Sequence, residues 1–320
     1  MFKVNLKSGQ SFQSDSAINL VEAGKQQGII IPHSCMSGRC NSCKIRVLKG
    51  TSTRTSSELN LSKEEIKNGY ILACCRTATS DLDLECEDLS EFKLEEPKIL
   101  PVKFIEVIKN TEDISTFLIQ HSPLSNFQFL PGQYINLSYR GVTRSYSIAN
   151  YNPETKIIEL IIKNYSKGEM SQLLFKHDLE GKLATLNGPL GTSFLRNPNR
   201  NKKLILIATG TGIAPIKAIV QERNVVKEMG FEEITVFWGM RKIQDLFWKP
   251  KGQTIKFKTI LSREYRKEYV QNSKEFLSLD LNNTSIYACG SSEMISSLSN
   301  VLKNRSFDMA NLITDEFIKS

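Results

Sequence analysis

The sequence has few histidines and no long apolar segment. Only three histidines occur in 320 residues, at positions 33, 121 and 177, and they are scattered. We therefore assign them no chemistry. No apolar run approaches the roughly 18 residues that a membrane-spanning helix needs. The first residues alternate like a strand and lack the apolar region of a signal peptide. The sequence predicts a cytoplasmic protein with no membrane partner.

The sequence does not favour nucleic-acid binding. The net charge is +8, but no basic run is interleaved with aromatic residues. Residues 1–97 carry 12 Lys and Arg against 13 Asp and Glu, whereas residues 98–320 carry 30 against 21. A basic body of this kind suits an anionic small molecule such as a dinucleotide. We expect no nucleic-acid partner.

Seven cysteines are present, and their spacing indicates metal ligation rather than a disulfide framework. Cys35, Cys40 and Cys43 form a C-x4-C-x2-C pattern, and Cys74 and Cys75 follow downstream. This is the plant-type spacing for a [2Fe–2S] cluster, which carries one electron at a time. A four-cysteine zinc site is the alternative, although zinc sites usually combine two C-x2-C pairs.

Short periodic segments surround these cysteines. Alternation predicts strands over 3–7, 11–13, 43–48 and 81–85, and helices over 17–27 and 62–68. Ser62 and Glu65 have the spacing of a capping box at the second helix. Because adjacent side chains of an extended segment point in opposite directions, we expect only one of Cys74 and Cys75 to be a ligand. A charged segment without periodicity, residues 91–98, is interpreted as a linker.

The next hundred residues are typical of an antiparallel barrel. Strands are predicted over 102–107, 116–119, 133–137 and 156–162, with turn residues between them. Within them lies Arg144-Ser145-Tyr146-Ser147, where an arginine can hold a phosphate and a tyrosine can lie against a flat ring. Lys167 to Ser171 opens a helix whose start suits a pyrophosphate, or is simply an ordinary capped helix. The segment from Asn187 to Gly191 resembles the G-P-x-G turn that closes the barrel in ferredoxin–NADP reductases, and this resemblance implies a turn here.

The last 120 residues alternate strand and helix. A buried strand, Leu204 to Ala208, leads into Gly210-Thr211-Gly212 and a helix predicted to run to Met229, which is the dinucleotide-binding arrangement. Pro215 takes the place of a third glycine. Further strands over 234–239, 255–261 and 284–290 predict a parallel α/β sheet. The last of them ends in Cys289-Gly290, which without other evidence is ordinary core packing.

Together these motifs resemble the ferredoxin–NADP reductase superfamily, in the branch with an N-terminal plant-type ferredoxin domain. The carrying motifs are Arg144 to Ser147, Gly210 to Pro215, Gly69 to Cys74, and Cys289-Gly290 followed by Met294. The resemblance implies a multidomain chain. Its parts are an α+β (β-grasp) ferredoxin domain over 1–90, an antiparallel β-barrel FAD domain over 99–199 and an α/β parallel-sheet NAD(P) domain over 200–320.

The resemblance also implies the site residues. It assigns the cluster to Cys35, Cys40, Cys43 and Cys74, leaving Cys75 as a structural neighbour and Cys86 as a small buried hydrophobic residue. It assigns FAD to Arg144, Ser145, Tyr146, Ser147, Ile162, Lys163, Gly168, Met170, Ser171 and Phe317. It assigns NAD(P) to Gly210, Thr211, Gly212, Pro215, Ser262, Arg263, Cys289, Gly290 and Met294. Ser147 at the flavin N5 and Cys289 at the nicotinamide C4 are the implied catalytic residues, while Phe317 in a terminal strand is also typical of core packing.

The implied activity is that of an NAD(P)H-dependent oxidoreductase passing electrons from NAD(P)H through FAD and the [2Fe–2S] cluster to a partner protein. Residues 74–75, 144–150 and 287–291 most resemble the CDP-6-deoxy-delta-3,4-glucoseen reductases of dideoxysugar biosynthesis, whose partner is a dehydrase. Reductase components of mono- and dioxygenases are the alternative, and a metal-binding scaffold without turnover is a remote one. We expect the partner to dock on the ferredoxin domain. The oligomeric state stays open.

The choice between NADH and NADPH also stays open. Ser262-Arg263-Glu264 with Arg266, Lys267 and the segment 269–271 resembles the part of ferredoxin–NADP reductases that holds the 2′-phosphate. Dideoxysugar reductases, however, are associated with NADH. Similar Ser-Arg pairs occur in NADH-dependent relatives, and a surface charge cluster is an ordinary feature.

Overall fold

The computed structural model describes residues 1–251, 255–264 and 268–317. Its contacts divide the chain into two compact units. The first contains Met1–Leu94 with Gly191–Ser193, and the second contains Glu95–Leu190 with Phe194–Ser320. The predicted barrel and the predicted parallel sheet both belong to the second unit. The boundary of the first unit falls inside the predicted linker, and the four predicted segment boundaries themselves remain predictions.

The first unit is a mixed α+β domain around the strand order β2-β1-β7-β3-β5. In this sheet β1 pairs parallel with β7 and the other pairings are antiparallel. A separate antiparallel pair joins β4 and β6. The elements are β1 Phe2–Leu6, β2 Ser11–Ser14, α1 Leu20–Lys25, β3 Lys44–Lys49, β4 Ser52–Arg54, α2 Lys63–Lys67, β5 Tyr70–Leu72, β6 Arg76–Ala78 and β7 Leu82–Glu85.

Local signals of the sequence are reproduced in this unit. The side chain of Ser62 accepts a hydrogen bond from the Glu65 backbone N–H at 3.1 Å, and the Glu65 carboxylate accepts one from the Ser62 N–H at 2.9 Å. The predicted capping box is therefore confirmed. The helix predicted over 17–27 is shorter, because Asn19 caps it by accepting from the Glu22 N–H at 3.0 Å.

The second unit begins with a closed six-stranded antiparallel barrel, ordered β10-β11-β12-β9-β8-β13. Its interior is filled by fully buried aromatic and aliphatic side chains such as Phe104, Phe117 and Leu160. The elements are β8 Lys98–Lys109, β9 Ile114–His121, β10 Tyr134–Tyr139, β11 Val142–Asn152, β12 Ile157–Lys163, α3 Glu169–Phe175 and β13 Leu183–Leu190. The predicted antiparallel barrel is confirmed.

The prediction of a turn over 187–191 is wrong, because most of these residues form a strand. Asn187 to Leu190 are the last residues of β13, which pairs with β10 on one side and with β8 on the other. The barrel is thus closed by a strand that is hydrogen-bonded to a neighbouring strand on each side. The register of β13 against β10 shifts between Asn187 and Leu190, and Pro189 lies within this irregularity, where a proline is tolerated.

The rest of the second unit is a five-stranded parallel sheet ordered β16-β15-β14-β17-β18. The central strands β14 and β17 are buried nearly throughout, as expected for a sheet covered on both faces. The elements are β14 Lys203–Thr209, α4 Ile213–Gln221, α5 Arg223–Glu228, β15 Glu233–Met240, β16 Ile255–Leu261, α6 Lys274–Leu277, β17 Thr284–Ser291, α7 Ser292–Asn304 and β18 Leu312–Phe317. The predicted parallel α/β sheet is confirmed.

The single helix predicted from the glycine turn to Met229 is wrong. The chain forms two helices, because Glu222 leaves the helical region with ψ 51° and ends α4. No glycine or proline marks this break in the sequence.

Candidate redox site

The four cysteines assigned to the cluster stand as two pairs in the first unit. Cys35 and Cys40 each donate a backbone N–H to the other's sulfur, at 3.4 and 3.3 Å, and the Ser37 N–H is a second donor to the Cys35 Sγ at 3.4 Å. The Cys43 and Cys74 sulfurs lie 3.3 Å apart. Two thiol pairs suit a two-iron cluster with four cysteine ligands, and N–H donors to sulfur are the groups that tune such a cluster.

The donors around Cys35 favour its thiolate, which is the form that binds metal. A hydrogen bond from the Cys40 side chain, together with the backbone N–H groups of Ser37 and Cys40, lowers the pKa of Cys35 to about 4 against the opposing effect of burial. Within the described residues, no group of three or more His, Cys, Asp or Glu side chains is arranged around a single ion.

A glycine lets the cluster loop pack tightly. Gly38 has a φ of +70°, and a Cβ at this position would lie 2.1 Å from the Ser57 carbonyl oxygen and 2.7 Å from the Cys75 sulfur. The fully buried Cys75 thiol donates to that same carbonyl at 3.6 Å. The Leu59 N–H donates to the Gly38 carbonyl at 3.0 Å. Gly38 is thus required both by backbone conformation and by packing.

The reason given for choosing between Cys74 and Cys75 was wrong. Residues 73–75 form one turn of 3-10 helix rather than an extended segment, and the two sulfurs lie 3.6 Å apart instead of on opposite sides. Only Cys74 contacts the Cys43 sulfur, so Cys74 stays the predicted ligand. Cys86 is half-buried against the core of this unit, and burial raises its pKa to about 12.

In the second unit, β11 presents the residues assigned to FAD. The Arg144 guanidinium donates to the Thr143 carbonyl at 2.8 Å and lies 3.9 Å from the carboxylate of Glu169, the first residue of α3. Tyr146 is half-buried against the barrel core, and burial raises its pKa. Ser145 is exposed and donates to the Asn136 side chain at 2.7 Å. Arg144 and the start of α3 are therefore close enough to act on one anion.

The start of α3 has the form of a phosphate seat. Gly168 is its N-cap and provides no side-chain acceptor, so the first N–H groups of the helix keep their capacity for a ligand. The Ser171 hydroxyl accepts from the Tyr165 N–H at 3.0 Å and so closes the preceding loop. Met170 is buried in the barrel core and can offer a ligand only its backbone.

The remaining two residues assigned to FAD lie at the end of β12. Ile162 is buried in the barrel core. The Lys163 ammonium pairs with the Asp113 carboxylate at 2.9 Å. As with Met170, only the backbone of Ile162 is in a position to bind a ligand.

The glycine turn after β14 is built for close approach. Gly210 has a φ of +54° and open space where a Cβ would be, whereas a Cβ on Gly212 would lie 2.3 Å from the Cys289 carbonyl oxygen. The Trp238 indole N–H holds the turn by donating to the Gly210 carbonyl at 3.0 Å. The nine-residue helix α4 follows without a side-chain cap, and Pro215 is buried in its first turn, where its missing N–H costs nothing.

A carboxylate that the sequence analysis missed joins the barrel to the parallel sheet. The Ser147 hydroxyl of β11 and the Cys289 thiol of β17 both donate to the same oxygen, Asp315 Oδ2, at 3.4 and 3.6 Å. The register of the sheet places Cys289 directly beside Asp315. The two residues predicted to be catalytic are therefore brought together by a third.

Burial controls the protonation of this group. Desolvation raises the pKa of Asp315 to about 6, against the hydrogen bonds from Cys289 and Ser147 that lower it. Desolvation, reinforced by the Asp315 charge, raises the pKa of Cys289 well above its usual range. Cys289 is thus an uncharged thiol at neutral pH, which suits a position that a hydride must pass.

The sequence did contain a signal for Asp315. In β18 the residues Ile313, Asp315 and Phe317 share one face. A carboxylate between two apolar residues on an inward face must have polar partners. Phe317 itself is half-buried and packs against the sheet core.

Two further predicted residues support the end of β17. A Cβ on Gly290 would lie 2.2 Å from the Thr209 hydroxyl and 2.7 Å from Met294 Cε, so this glycine is required by packing. The Met294 N–H donates to the Ser291 hydroxyl at 3.3 Å, which caps α7. Both residues therefore fix the backbone beside Cys289.

The segment after β16 is only partly described. The Ser262 hydroxyl donates to the Met240 carbonyl at 3.3 Å, and Arg263 is exposed. Gln271 is buried, and its side-chain oxygen has no hydrogen-bond partner among the described residues. Arg266 and Lys267 lie outside the described residues.

Across the described ranges, none of the helices has both the length and the apolar character needed to cross a membrane.

Three family models match the chain in the predicted order. A 2Fe-2S iron-sulfur cluster binding domain matches residues 4–79, an oxidoreductase FAD-binding domain matches residues 101–194, and an oxidoreductase NAD-binding domain matches residues 206–300. The chain therefore carries one domain for each of the three redox groups.

Relatives that match most or nearly all of the chain support the same assignment. Protein RfbI of Salmonella typhimurium is 33% identical over 93% of this chain and 89% of its own length. The CDP-6-deoxy-L-threo-D-glycero-4-hexulose-3-dehydrase reductase of Yersinia pestis is 29% identical over 98% of this chain and 97% of its length. The reductase component of the naphthalene 1,2-dioxygenase system of Pseudomonas putida is 32% identical over 72% and 68%. The chain belongs to the family of iron–sulfur flavoprotein reductases, which join a [2Fe–2S] domain to FAD-binding and NAD-binding oxidoreductase domains.

Proposed function

We propose that the chain is the reductase that supplies electrons to a dehydrase in the biosynthesis of CDP-3,6-dideoxysugars. When bound, a flavin takes up a hydride as an electron pair and releases electrons singly, and a [2Fe–2S] cluster carries one electron. The residues of the chain hold these groups, orient them and keep water away.

The contact of Ser147 and Cys289 with one oxygen of Asp315 carries the proposal. The hydroxyl comes from the FAD-binding barrel and the thiol from the NAD-binding sheet. Asp315 fixes the direction of both hydrogens, so the flavin and nicotinamide rings would meet in one orientation. All three side chains are buried, which excludes water from the point of transfer.

Backbone N–H groups and one arginine would hold the diphosphates. We assign the FAD phosphates to Arg144 and to the N–H groups that follow Gly168, because the guanidinium and the helix start converge there. We assign the pyrophosphate of the nicotinamide nucleotide to the N–H groups after Gly210 at the start of α4. No acid–base residue is needed for this chemistry, so the work of the protein is positioning.

Cys35, Cys40, Cys43 and Cys74 are the proposed cluster ligands, supported by their two sulfur pairs. The first unit would then be the place from which electrons leave, and we place partner docking on it. The chain has seven cysteines, all of them free thiols. A reducing compartment suits this state, and we therefore propose a cytoplasmic location.

The dehydrase as electron acceptor is supported by the Yersinia pestis relative, because the alignment covers both that protein and this chain almost end to end. The second candidate is an oxygenase component, supported by the naphthalene dioxygenase reductase component, which matches about two thirds of its length. Both candidates require the same three redox groups, so the partner alone separates them.

A reconstituted electron-transfer assay tests the proposal. The purified protein, with its flavin and cluster, is mixed with NADH or NADPH and with either a CDP-hexulose 3-dehydrase and its CDP-sugar substrate or a terminal oxygenase. We expect nucleotide oxidation coupled to sugar deoxygenation in the first mixture only. Coupling to the oxygenase alone would replace the dehydrase by the second candidate. If neither NADH nor NADPH reduces the flavin, the reductase function is refuted.

A further inference from the structure

The charge of the first unit is unevenly distributed along its chain. Residues 35–79, which contain all four predicted cluster ligands, carry eight Lys and Arg against three Asp and Glu. The rest of this unit, residues 1–34 and 80–94, carries four against eight. The part of the unit that contains the cluster ligands is therefore basic, although the unit as a whole is nearly neutral.

Ion pairs within residues 35–79 engage the carboxylates and leave most of the cations unpaired. The Arg76 guanidinium donates to both carboxylate oxygens of the buried Glu58, at 3.0 and 2.6 Å. The Lys44 ammonium pairs with the Glu65 carboxylate at 2.8 Å. One exposed carboxylate, that of Glu64, then remains against six exposed cations. These cations are Arg39, Arg46, Lys49, Arg54, Lys63 and Lys67.

Two of the exposed arginines lie beside the cysteines. Arg39 belongs to the cluster loop, and its carbonyl accepts a hydrogen bond from the Asn60 side chain. Arg54 directly precedes Thr55, whose N–H and hydroxyl both donate to the Cys75 carbonyl, at 2.9 and 3.1 Å. Neither guanidinium has an ion-pair or hydrogen-bond partner among the described residues. Both charges are therefore available to a second molecule.

An exposed apolar side chain accompanies these arginines. Leu59 is 65% exposed, and its N–H donates to the Gly38 carbonyl of the cluster loop at 3.0 Å. Protein interfaces combine an apolar centre with a polar rim, and arginine is enriched in them whereas lysine is depleted. Leu59 with Arg39 and Arg54 has this composition, and it lies against the loop that carries three of the predicted ligands.

We infer that Arg39 and Arg54 guide the electron acceptor onto the cluster loop at Leu59, and that the acceptor docks there through an acidic surface. The inference rests on the proposed function and adds the chemistry of the partner to it. Complementary charges raise the rate of encounter and fix the orientation of the two proteins. An acceptor held at Leu59 stands next to the cluster loop, which shortens the path of the electron.

Electron transfer to two probe proteins of opposite charge tests the surface in the complete protein. The protein with its flavin and cluster is photoreduced and mixed with plant plastocyanin, which is acidic, or with mitochondrial cytochrome c, which is basic. We expect the second-order rate constant for plastocyanin to fall about tenfold between about 20 and 300 mM salt, because salt screens the attraction. The rate constant for cytochrome c should rise over the same range.

Charge changes at single residues locate the surface. Arg39→Glu, Arg54→Glu and Leu59→Asp should each slow transfer to plastocyanin about three- to tenfold at about 20 mM salt and speed transfer to cytochrome c. Lys3→Glu is the matched control, since it reverses one exposed cation of the same unit outside residues 35–79. It should change either rate less than about 1.5-fold. All variants should keep the EPR signal of the cluster.

The midpoint potential of the cluster separates docking from a second role, in which the arginines only offset the negative charge of the cluster. Arg39→Glu and Arg54→Glu variants with a lowered potential but a wild-type salt dependence for plastocyanin would overturn the inference. Transfer to plastocyanin that salt does not slow in wild type would also overturn it. Photoreduction needs no nucleotide, so neither result touches the proposed reductase function, which fails only if both nucleotides leave the flavin oxidised.

Discussion

Replacing Asp315 by asparagine tests whether this carboxylate positions the hydride-transfer site. The amide keeps the size of the side chain but removes the charge on which Ser147 and Cys289 converge. Well-formed hydrogen bonds to a charged group contribute about 1.5–3 kcal/mol each. At 3.4 and 3.6 Å the two bonds here are long, so about 1 kcal/mol each is a better measure. A total of about 2 kcal/mol corresponds to a roughly 30-fold slower transfer.

Anaerobic stopped-flow spectroscopy measures this step directly as the bleaching of the flavin band after mixing with NADH or NADPH. We expect the limiting rate constant of Asp315→Asn to fall about 30-fold, while the nucleotide concentration for half saturation stays within about twofold, because Asp315 does not bind the phosphates. Asp280→Asn is the matched control, since Asp280 is an exposed carboxylate of the same domain, paired with Lys203 at 2.7 Å. An unchanged rate in Asp315→Asn, or an equal loss in the control, would refute the positioning role.

The raised pKa of Asp315 predicts the direction in which the stability of the protein changes with pH. Its pKa in the folded protein, about 6, lies above the ordinary aspartate value of 3.8. The protonated carboxyl therefore stabilises the folded state fully below about pH 4, and this contribution is lost as the pH rises to about 6. A pKa difference of about two between the folded and the unfolded chain corresponds to about 3 kcal/mol of folding stability. Asp315→Asn should thus melt at a higher temperature than wild type at pH 8 but not at pH 4. Its transfer rate should also lack the fall that wild type shows below pH 6.

Three further predictions concern other parts of the chain. Cys74→Ser should lose the visible and EPR signals of the cluster, whereas Cys75→Ser should keep them; loss in both variants would contradict the assignment of Cys74. Lys217→Met should lower the free energy of unfolding by about 3 kcal/mol in chemical denaturation, because it leaves the buried carboxylate of Glu159 without its ion-pair partner; an unchanged midpoint would show that the pair is dispensable. Gly212→Ala should abolish flavin reduction by either nicotinamide nucleotide or prevent folding, because its Cβ would lie 2.3 Å from a carbonyl oxygen, and a fully active variant would contradict the packing at the glycine turn.

Much of the fold was predictable because its signals are local. The capping box of Ser62 and Glu65 lies within four residues, and the strands of the barrel and sheet carry their own alternation or apolar runs. The cysteine spacing identified the cluster domain for the same reason. In these cases the sequence signal lies within the element that it predicts, so the prediction did not depend on contacts between distant residues.

The errors arose where tertiary contacts decide the outcome. The backbone at Cys74 and Cys75 forms one turn of 3-10 helix, which places one sulfur near Cys43 and the other near Ser57. The role of Asp315 depends on Ser147, which is 168 residues away in sequence. The register of β18 against β17 places Asp315 beside Cys289, and its contact with the barrel strand β11 is a tertiary contact that no local pattern contains.

The central claim is that one chain carries electrons from a nicotinamide nucleotide through a flavin to a cluster. An anaerobic titration with NADH and, separately, with NADPH, followed by visible spectroscopy and low-temperature EPR on the same samples, tests it most directly. The account predicts that, with at least one of the two nucleotides, the flavin and cluster bands bleach together and a [2Fe–2S] EPR signal grows in proportion to the nucleotide added. A colourless zinc-containing protein, or a flavin that is reduced while the cluster stays EPR-silent, would contradict it.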